Sequence, residues 1–424
     1  MQFSQRQLLI IGAAILGIIA IFFIVTIGLR PDKSQTAELV VWGLFDDPEL
    51  FSSLAKPHLQ ETGNKIIYVQ KNPATYEEEL LNALAAGSGP DVFMFKNSWL
   101  LRHYDKVKPA PENLFTPQSI QENYPQIVAR DFVSGDSVYG IPLFIDTLAL
   151  FYNQDLLDQG AVPFPPKTWE ELVEMTPKLT RINERRDILY SAVALGSAQN
   201  VSHAADILAL LMIQAGSNIV DDNFNVTFQR TKAGTEALNF FTQFAKPKNK
   251  IYTWDDKFDG SIEEFARGKV AMVLGYASDI QTIRAVSPYF NFKVTLMPQP
   301  QDSTLRKDYA SYWGLAVRKQ SKKADAAWNL VSFLSQNEQA EAFARKTNLA
   351  PAKRLLLNNL RNQPIMDIFS KQAYTAVSWP QPDSNLIERI FKNGIADALA
   401  EKEPLDSIVT GMANEIDEIF KKAF

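Results

Sequence analysis

From Glu38 onward, the pattern of apolar and polar positions switches repeatedly between the period of a strand and that of a helix. The second helical segment of this region is predicted to begin with a capping box at Thr75-x-x-Glu78 and to end at Gly87. Three short apolar runs, with a helical segment in each gap, are predicted as strands: 39–42, 65–70 and 91–95. This alternation predicts a mainly parallel sheet covered by helices on both faces.

The stretch Tyr139–Asn153 joins two strand-like runs at a break that carries one carboxylate. Gly140 and Pro142 interrupt the first run, Leu148–Tyr152 forms the second, and Asp146 lies between them. A buried carboxylate without a partner is costly, so Asp146 is predicted either to be hydrated in a cleft or to accept hydrogen bonds. An aspartate that caps an ordinary turn is the alternative.

Beyond residue 153 the pattern becomes more helical. Two helices are predicted to begin at the capping boxes Thr168-x-x-Glu171 and Ser261-x-x-Glu264. The other predicted elements are strands at 269–274 and 312–317 and helices at 204–215, at 324–334 and from Leu386 to the C-terminus. This region therefore supplies further strands and the helices that cover them.

Composition and motifs exclude several classes of function. The 424 residues suffice for two domains, and a net charge of −5 argues against a nucleic-acid partner. Cysteine is absent, and the three histidines, His58, His103 and His203, form no zinc-binding motif. No Walker loop, dinucleotide fingerprint or nucleophile elbow is present. We predict no catalytic residue, metal site or cofactor, although a pair of acid–base carboxylates stays open as an enzyme alternative.

The N-terminal residues carry the signal for location. Leu8–Leu29 consists of apolar and small residues interrupted only by Thr26. At about 1.5 Å of rise per residue, a helix of this length spans a hydrocarbon core of about 30 Å. Because the exit at Thr26–Pro31 lacks a small-x-small cleavage site, residues 1–30 are predicted to be a transmembrane signal anchor, followed by a short tether at 31–37. A cleaved signal peptide is the alternative.

Six motifs, taken in their order and spacing, make the chain resemble the family 1 extracellular solute-binding proteins of ABC importers, the group that includes maltose-binding protein. Each motif alone is weak, and the similarity runs from about Glu38 to the C-terminus. The motifs are AGSGPDV at 86–92, YGIP and DTLALFYN within 139–153, PKTWEEL at 166–172, FARGKVAM at 265–272, YWGLAV at 312–317 and NLAPA at 348–352.

The resemblance implies an α/β fold with two lobes, the periplasmic-binding-protein-like or Venus flytrap fold, here combined with an N-terminal transmembrane helix. Crossings between the lobes are expected near 146–150, 270–276 and 313–318. The first lobe would comprise residues 38–146 and 273–314, and the second would comprise 149–270 and 318–424. Family relatives are often held by a lipidated cysteine, which this chain lacks, so the apolar helix at 8–29 would serve as its membrane anchor.

The family's function, carried over, is capture of a carbohydrate, such as an oligosaccharide, by hinge closure and its delivery to an ABC permease. The chain would be a monomer in a single-pass arrangement at the cell membrane, with both lobes on the extracytoplasmic side. Aromatic and carboxylate side chains beyond strand ends are the expected ligand contacts. The predicted ligand-binding residues are Trp42, Asp46, Asp47, Trp99, Asp146, Tyr276, Trp313 and Trp379.

Each of these residues has a structural alternative, because a tryptophan lies more often in a core than against a ligand. Other functions also stay open: a binding protein for a non-sugar solute such as a glycerophosphodiester, and a sensor subunit that keeps the fold without transport. A phosphate ligand requires converging cationic side chains or helix N-termini. The sequence places no such cluster in the expected cleft.

Overall fold

A computed structural model of the protein describes residues 36–44, 47–359 and 363–423. The predicted signal anchor at 1–30, residues 31–35 of the tether and Asp46 lie outside these ranges. Within the part of the chain that is described, no helix has both the length and the apolar character needed to cross a bilayer.

The first sheet takes its strands from the beginning and the middle of the chain, in the order β2-β1-β3-β14-β4, with β7 also paired to β14. Its strands are β1 (Glu38–Gly43), β2 (Lys65–Gln70), β3 (Val92–Lys96), β4 (Val107–Lys108), β7 (Ile141–Pro142) and β14 (Trp313–Arg318). β1, β2 and β3 run parallel, and β14 runs antiparallel to β3. The strands predicted in this region are confirmed.

Helices and one small hairpin cover this sheet. The hairpin consists of β5 (Val133–Ser134) and β6 (Ser137–Val138). The early helices are α1 (Pro48–Thr62), α2 (Tyr76–Ala85), α3 (Leu100–His103), α4 (Pro117–Asn123) and α5 (Gln126–Phe132). Later in the chain are α12 (Ala324–Leu334), α13 (Asn337–Thr347) and α14 (Arg354–Asn359). The next helix, α15 (Pro364–Ala373), packs instead on the second sheet, against the strand Lys293–Thr295. Because α12 and α13 pack on α1, these two helices belong to the first lobe.

The second sheet has the order β12-β8-β11-β10-β9. Its strands are β8 (Ala149–Tyr152), β9 (Arg181–Ile182), β10 (Ile188–Val193), β11 (Val270–Gly275) and β12 (Lys293–Thr295). Its helices are α6 (Gln154–Gln159), α7 (Trp169–Leu179), α8 (Ala204–Gln214), α9 (Lys232–Gln243), α10 (Ser261–Ala266), α11 (Asp279–Val286), α16 (Ser384–Leu399) and α17 (Leu405–Ala423). Two further strands, β13 (Asp308–Tyr309) and β15 (Ala376–Val377), pair with each other between the two sheets. The expected α/β architecture with two lobes is confirmed.

The strand pairings correct the predicted boundaries of the lobes. Residues 273–314 were expected in the first lobe, but β12 pairs with β8 in the second sheet. The second crossing predicted at 270–276 is therefore wrong, because the chain stays in the second lobe after β11. Similarly, the range 318–424 predicted for the second lobe includes α12 and α13 of the first. The observed crossings lie near 145–148 and 309–312. A third segment, 376–383, also passes between the lobes, although α15 before it already packs on β12 of the second sheet.

Two of the predicted capping boxes are also corrected. Thr75 makes no capping hydrogen bond to the backbone, and its hydroxyl instead donates to Glu79. Ser261 is the first residue of α10 rather than its N-cap, and its hydroxyl accepts a hydrogen bond from the Ser202 amide over 2.9 Å. Only Thr168 caps as predicted, by accepting from the Glu171 amide over 3.1 Å. A serine or threonine at the right spacing thus predicts the helix better than it predicts the cap.

Replacing Gly196 with alanine is expected to destabilise the protein by about 3 kcal/mol or more. Gly196 has a φ of +106°, and a Cβ there would lie 2.6 Å from the Ala245 amide nitrogen. The matched control is Gly216→Ala, since Gly216 has a φ of +94° but no atom within 4 Å of a new Cβ. That change is expected to cost only about 1–2 kcal/mol of backbone strain. Urea unfolding followed by tryptophan fluorescence measures both, and equal losses would contradict the close approach.

Candidate functional site

Three crossing segments lie side by side between the lobes. Thr147 and Ala310 form an antiparallel bridge, and the Leu148 amide donates to the Tyr309 carbonyl over 2.9 Å. The Ala310 amide donates to the Val377 carbonyl, also over 2.9 Å. The three crossings, which we call the hinge ribbon (residues 145–148, 309–312 and 376–378), are thus joined by backbone hydrogen bonds. A ribbon this narrow allows one lobe to rotate against the other.

Asp146 is buried in the hinge ribbon and binds the backbone of a fourth segment. Its side chain is 3% exposed, and its two carboxylate oxygens accept from the Ala277 and Ser278 amides over 2.8 and 3.0 Å. Its own carbonyl accepts from the Ser311 amide over 3.1 Å. Burial raises the pKa of Asp146 to about 7, although the two amide hydrogen bonds act in the opposite direction. Asp146 therefore fixes the turn before α11 to the first two crossings.

A second group of charged side chains surrounds Tyr276. His203 Nε2 lies 2.8 Å from Asp279 Oδ2, and the same oxygen accepts from the Tyr276 amide over 2.7 Å. The Tyr276 hydroxyl donates to Asp206 Oδ2 over 2.7 Å. Burial alone would lower the pKa of His203, but Asp279 outweighs it, helped by Asp206 and Asp146, and the pKa rises to about 9. The imidazole is therefore protonated at neutral pH and paired with Asp279.

Three cavities are lined by residues of both lobes, and all three reach the segment at 380–386. The first has a volume of about 290 Å³ and is lined by residues of both lobes, among them Lys96, Trp313, Asp206, Tyr276, Gln381 and Asn385. The second has a volume of about 440 Å³ and is lined by Asn97, Arg130, Tyr139, Asp221, Phe224 and others. A ligand in either cavity contacts both lobes. The third, of about 860 Å³, lies between α2 of the first lobe and the end of α17 of the second.

The structure brings two of the predicted residues into the first cavity, Tyr276 and Trp313. Tyr276 is itself only 4% exposed, so its ring forms part of the cavity wall. The Trp313 ring is half-buried and is held edge-on against Trp99 and Tyr76, with ring centroids 5.2 and 5.7 Å away. Trp313 therefore presents a surface whose orientation is fixed before any ligand arrives.

The other predicted residues occupy different surroundings. Trp99 and Trp379 are each 3% exposed and pack in the core, Trp379 against Phe391. Trp42 is the penultimate residue of β1, and the Lys71 ammonium lies 4.1 Å from its ring centroid. Asp47 caps α1 by accepting from the Glu49 amide over 3.0 Å. Asp146 is placed as an anchor of the hinge ribbon, and Asp46 lies outside the described residues.

Several cavity residues were missed from the sequence. Lys96 is the last residue of β3, and the rule that places ligands beyond strand ends could have found it. Tyr309 and Gln381 belong to crossings that the sequence located incorrectly. Asp206 and His203 lie at the start of α8, which the sequence predicted only as an apolar helix.

A family model described as bacterial extracellular solute-binding protein matches residues 53–355. Among individual relatives, a maltotriose-binding protein of Pyrococcus abyssi is 21% identical over 82% of this chain and 74% of its own length. A galactooligosaccharide-binding protein of Bacillus subtilis is 23% identical over 84% of this chain and 82% of its own. These identities are low, but the alignments extend through both lobes.

Solved structures show the same fold. The sugar-binding protein MalE of Xanthomonas citri superimposes with a TM-score of 0.75 at 20% identity, covering 91% of this chain and 98% of its own. The maltotriose-binding protein of Thermus thermophilus, bound with maltotriose, gives a TM-score of 0.71 at 19% identity and covers 90% of this chain and 100% of its own. Both matches support the architecture described above.

The ion pair of His203 predicts a pH dependence of stability. Because the folded-state pKa of about 9 lies above the unfolded-state value of about 6.5, the pair stabilises the fold fully below about pH 6.5 and loses this contribution as the pH rises through 9. His203→Gln is therefore expected to lower the free energy of unfolding at pH 6 by roughly 2 kcal/mol more than at pH 9.5. Chemical unfolding at the two pH values measures this difference.

His58→Gln is the control for this experiment. His58 is also buried, but burial lowers its pKa, so it does not titrate between pH 6.5 and 9. Because a lowered pKa makes protonation at pH 6 unfavourable to the fold, its replacement should cost no more free energy at pH 6 than at pH 9.5. A loss in His203→Gln that is no larger at pH 6 than at pH 9.5 would show that the imidazole is not charged in the folded protein.

Proposed function

The chain belongs to the bacterial extracellular solute-binding proteins, and from this we propose that it captures a carbohydrate in the cleft between its lobes. The favoured solute is an oligosaccharide. The receptor then delivers it to an ABC permease, while the N-terminal helix holds the lobes on the extracytoplasmic face of the membrane. The observation that carries the proposal is the first cavity, where an oriented tryptophan and polar side chains from both lobes converge.

The chemistry of this cavity suits a sugar. The C–H groups of a pyranose ring pack against a flat aromatic surface, and its hydroxyls pair with amides, carboxylates and ammonium groups. Trp313 offers the aromatic surface, while Lys96, Asp206, Gln381 and Asn385 offer the polar partners. The carbohydrates named for the relatives from Pyrococcus abyssi and Bacillus subtilis are consistent with this assignment.

Charge in the same cavity disfavours a phosphate-containing solute. The cations are Lys96 and His203, and His203 is already paired with Asp279. Two carboxylates, Asp206 and Glu388, line the same cavity and would repel a phosphate. A glycerophosphodiester would gain more from converging arginines, which bind phosphate oxygens in pairs. A neutral solute with many hydroxyls fits this mixture of donors and acceptors better.

Closure of the lobes is the proposed mechanism, and it requires no covalent step. A ligand that contacts both lobes binds the closed form more tightly than the open form, so it shifts the population toward closure. Tyr276 and Trp313 contact the ligand in this proposal, and Asp146 holds the hinge. The ligand contacts expected of Trp42, Asp46, Asp47, Trp99 and Trp379 stay predictions.

Membrane tethering is supported by the sequence at 8–29, whose length matches the thickness of a hydrocarbon core. Delivery to a permease is the role that makes a tethered receptor with a closing cleft useful to a cell. Co-purification of the full chain with permease subunits from membranes, enhanced by sugar, tests this part separately from sugar binding.

Trp313→Ala is expected to weaken the binding of an oligosaccharide at least about tenfold, because the ring that stacks on the sugar is removed. Isothermal titration calorimetry with maltotriose and with galactooligosaccharides measures the affinity. Trp313→Phe should retain most of it, because a smaller aromatic face remains. Tyr289→Ala, which truncates a 97% exposed aromatic residue, is the control and should bind normally. No binding of any sugar by the unmodified protein would reject the proposed solute class.

A further inference from the structure

Six cationic side chains lie together at the end of the first lobe that is farthest from the cleft. β14 ends at Arg318, and Lys319, Lys322 and Lys323 follow in the turn before α12. β4 lies beside this turn, because Val317 pairs with Lys108 and the Lys319 amide donates to the Lys106 carbonyl over 2.9 Å. We call this surface the basic face: Lys106, Lys108, Arg318, Lys319, Lys322 and Lys323. It stands out in a chain whose net charge is −5.

Carboxylates neutralise only part of the basic face. Asp105 pairs with Lys106 over 2.9 Å, and the buried Asp91 lies 3.6 Å from the Lys323 ammonium. Glu38 and Asp325 adjoin it in the chain, and Asp383, which pairs with Arg102, lines the same cavity as Lys106, Arg318 and Lys319. Lys108, Lys319 and Lys322 are exposed and form no ion pair with any described residue, which leaves the surface net positive.

The N-terminal segment joins the lobe at this same surface. The Lys323 ammonium donates to the carbonyl of Glu38, the first residue of β1. Residues 1–35, which contain the apolar stretch 8–29, therefore end next to the basic face. The tether from Arg30 to Ala37 reaches less than about 30 Å even when fully extended. A bilayer that holds the apolar stretch lies within that distance of the basic face.

The cleft lies at the opposite end of the sheet. Trp313 pairs with Lys96 at the carboxyl end of β3, whereas Val317 pairs with Val92 at its start. Trp313 and Arg318 are five positions apart along β14, which corresponds to about 16 Å. The chain therefore enters the lobe at the end of the sheet that carries the basic face, and the cleft lies at the other end.

We infer that the basic face docks on an anionic lipid surface, so that the resting receptor lies on the membrane with its cleft open to the outside. The inference rests on the tethering in the proposed function and adds a lipid contact to it. Cationic side chains near an anionic bilayer each favour the docked state by about fivefold, and salt screens this attraction. A large solute can then enter the cleft while the receptor stays docked on the membrane.

The absence of cysteine allows a direct test, because Gln320→Cys provides a single labelling site in the middle of the basic face. The full chain carrying a donor dye at this position is placed in nanodiscs that contain acceptor-labelled lipid. Energy transfer is expected to be higher with phosphatidylglycerol than with phosphatidylcholine alone. It should fall to the phosphatidylcholine level in about 1 M salt, where the Debye length is about 3 Å.

Charge reversal identifies the surface responsible. The triple variant Lys108→Glu, Lys319→Glu and Lys322→Glu is expected to lower the docked-to-free ratio by about 100-fold or more, which abolishes the phosphatidylglycerol effect. The control reverses three exposed lysines of the second lobe, Lys178, Lys248 and Lys250, and should leave the energy transfer unchanged.

Equal effects of the two triple variants, or equal energy transfer in both lipids, would overturn the inference. An unchanged lipid signal with weaker capture of permease subunits would assign the face to an acidic protein instead and reject the lipid contact.

Two further measurements separate this inference from the proposed function. Flotation of the full chain with vesicles in high salt reports insertion of the N-terminal segment, independently of the basic face. Maltotriose affinity in the charge-reversal triple reports the cleft, which these lysines do not line. Loss of flotation would therefore reject tethering, and loss of sugar binding would reject the solute class. In either case the lipid-dependent energy transfer would still decide whether the basic face docks on the lipid.

Discussion

The hydrogen bonds of the hinge ribbon are the constraint on which the rest of the molecule depends. The two sheets share no strand. The hydrogen bonds that join 145–148, 309–312 and 376–378 help to set the position of one sheet relative to the other. The Asp146 carboxylate extends the ribbon to the turn at 277–278, which also carries Tyr276 into the cleft. One buried side chain thereby couples the position of a cavity wall to the position of the hinge.

Other buried polar groups of the hinge are satisfied in the same way. Gln372, which is fully buried, donates to the Thr147 hydroxyl and the Leu148 carbonyl over 2.8 Å each, and accepts from the Met297 amide over 2.7 Å. Asp308 is also fully buried, and it accepts from Arg306 and Thr375. Fully paired networks of this kind favour one geometry, since any rearrangement leaves a buried polar atom unpaired. The hinge is therefore a defined axis rather than a loose linker.

The sequence predicted the elements of the fold much better than their assignment to lobes. An apolar run such as 91–95 identifies a strand because burial on both faces requires it. An apolar run such as 270–275 has the same local sequence pattern whether the chain then leaves the sheet or stays in it. The predicted second crossing was wrong for this reason. For the same reason the late crossing at 376–383, which carries only the two-residue strand β15, gave no recognisable signal. Strand pairing is a long-range property that no local pattern contains.

The candidate site was predicted only in part, and the reasons lie in side-chain direction. Location beyond a strand end favoured Trp99, and location in an expected crossing favoured Trp313, yet Trp99 turns into the core and packs edge-on against Trp313. For Asp146, hydrogen bonding was one of two outcomes predicted, and its donors, the amides of Ala277 and Ser278, are more than a hundred residues away in sequence. Lys96 and Asp206 are ordinary in sequence and become cavity residues only through the fold.

In the proposed mechanism, a bound sugar closes the two lobes about the hinge ribbon. Ser134 of the first lobe and Asp222 of the second line the second cavity from opposite sides, and the chain has no other site for thiol labels. Spin labels at Ser134→Cys and Asp222→Cys therefore report the opening of the cleft by double electron–electron resonance. Calorimetry first shows that maltotriose binds. If binding closes the lobes, saturating maltotriose shifts the distribution of distances between the two labels to shorter values. A distribution that stays unchanged with bound sugar would contradict closure about this hinge.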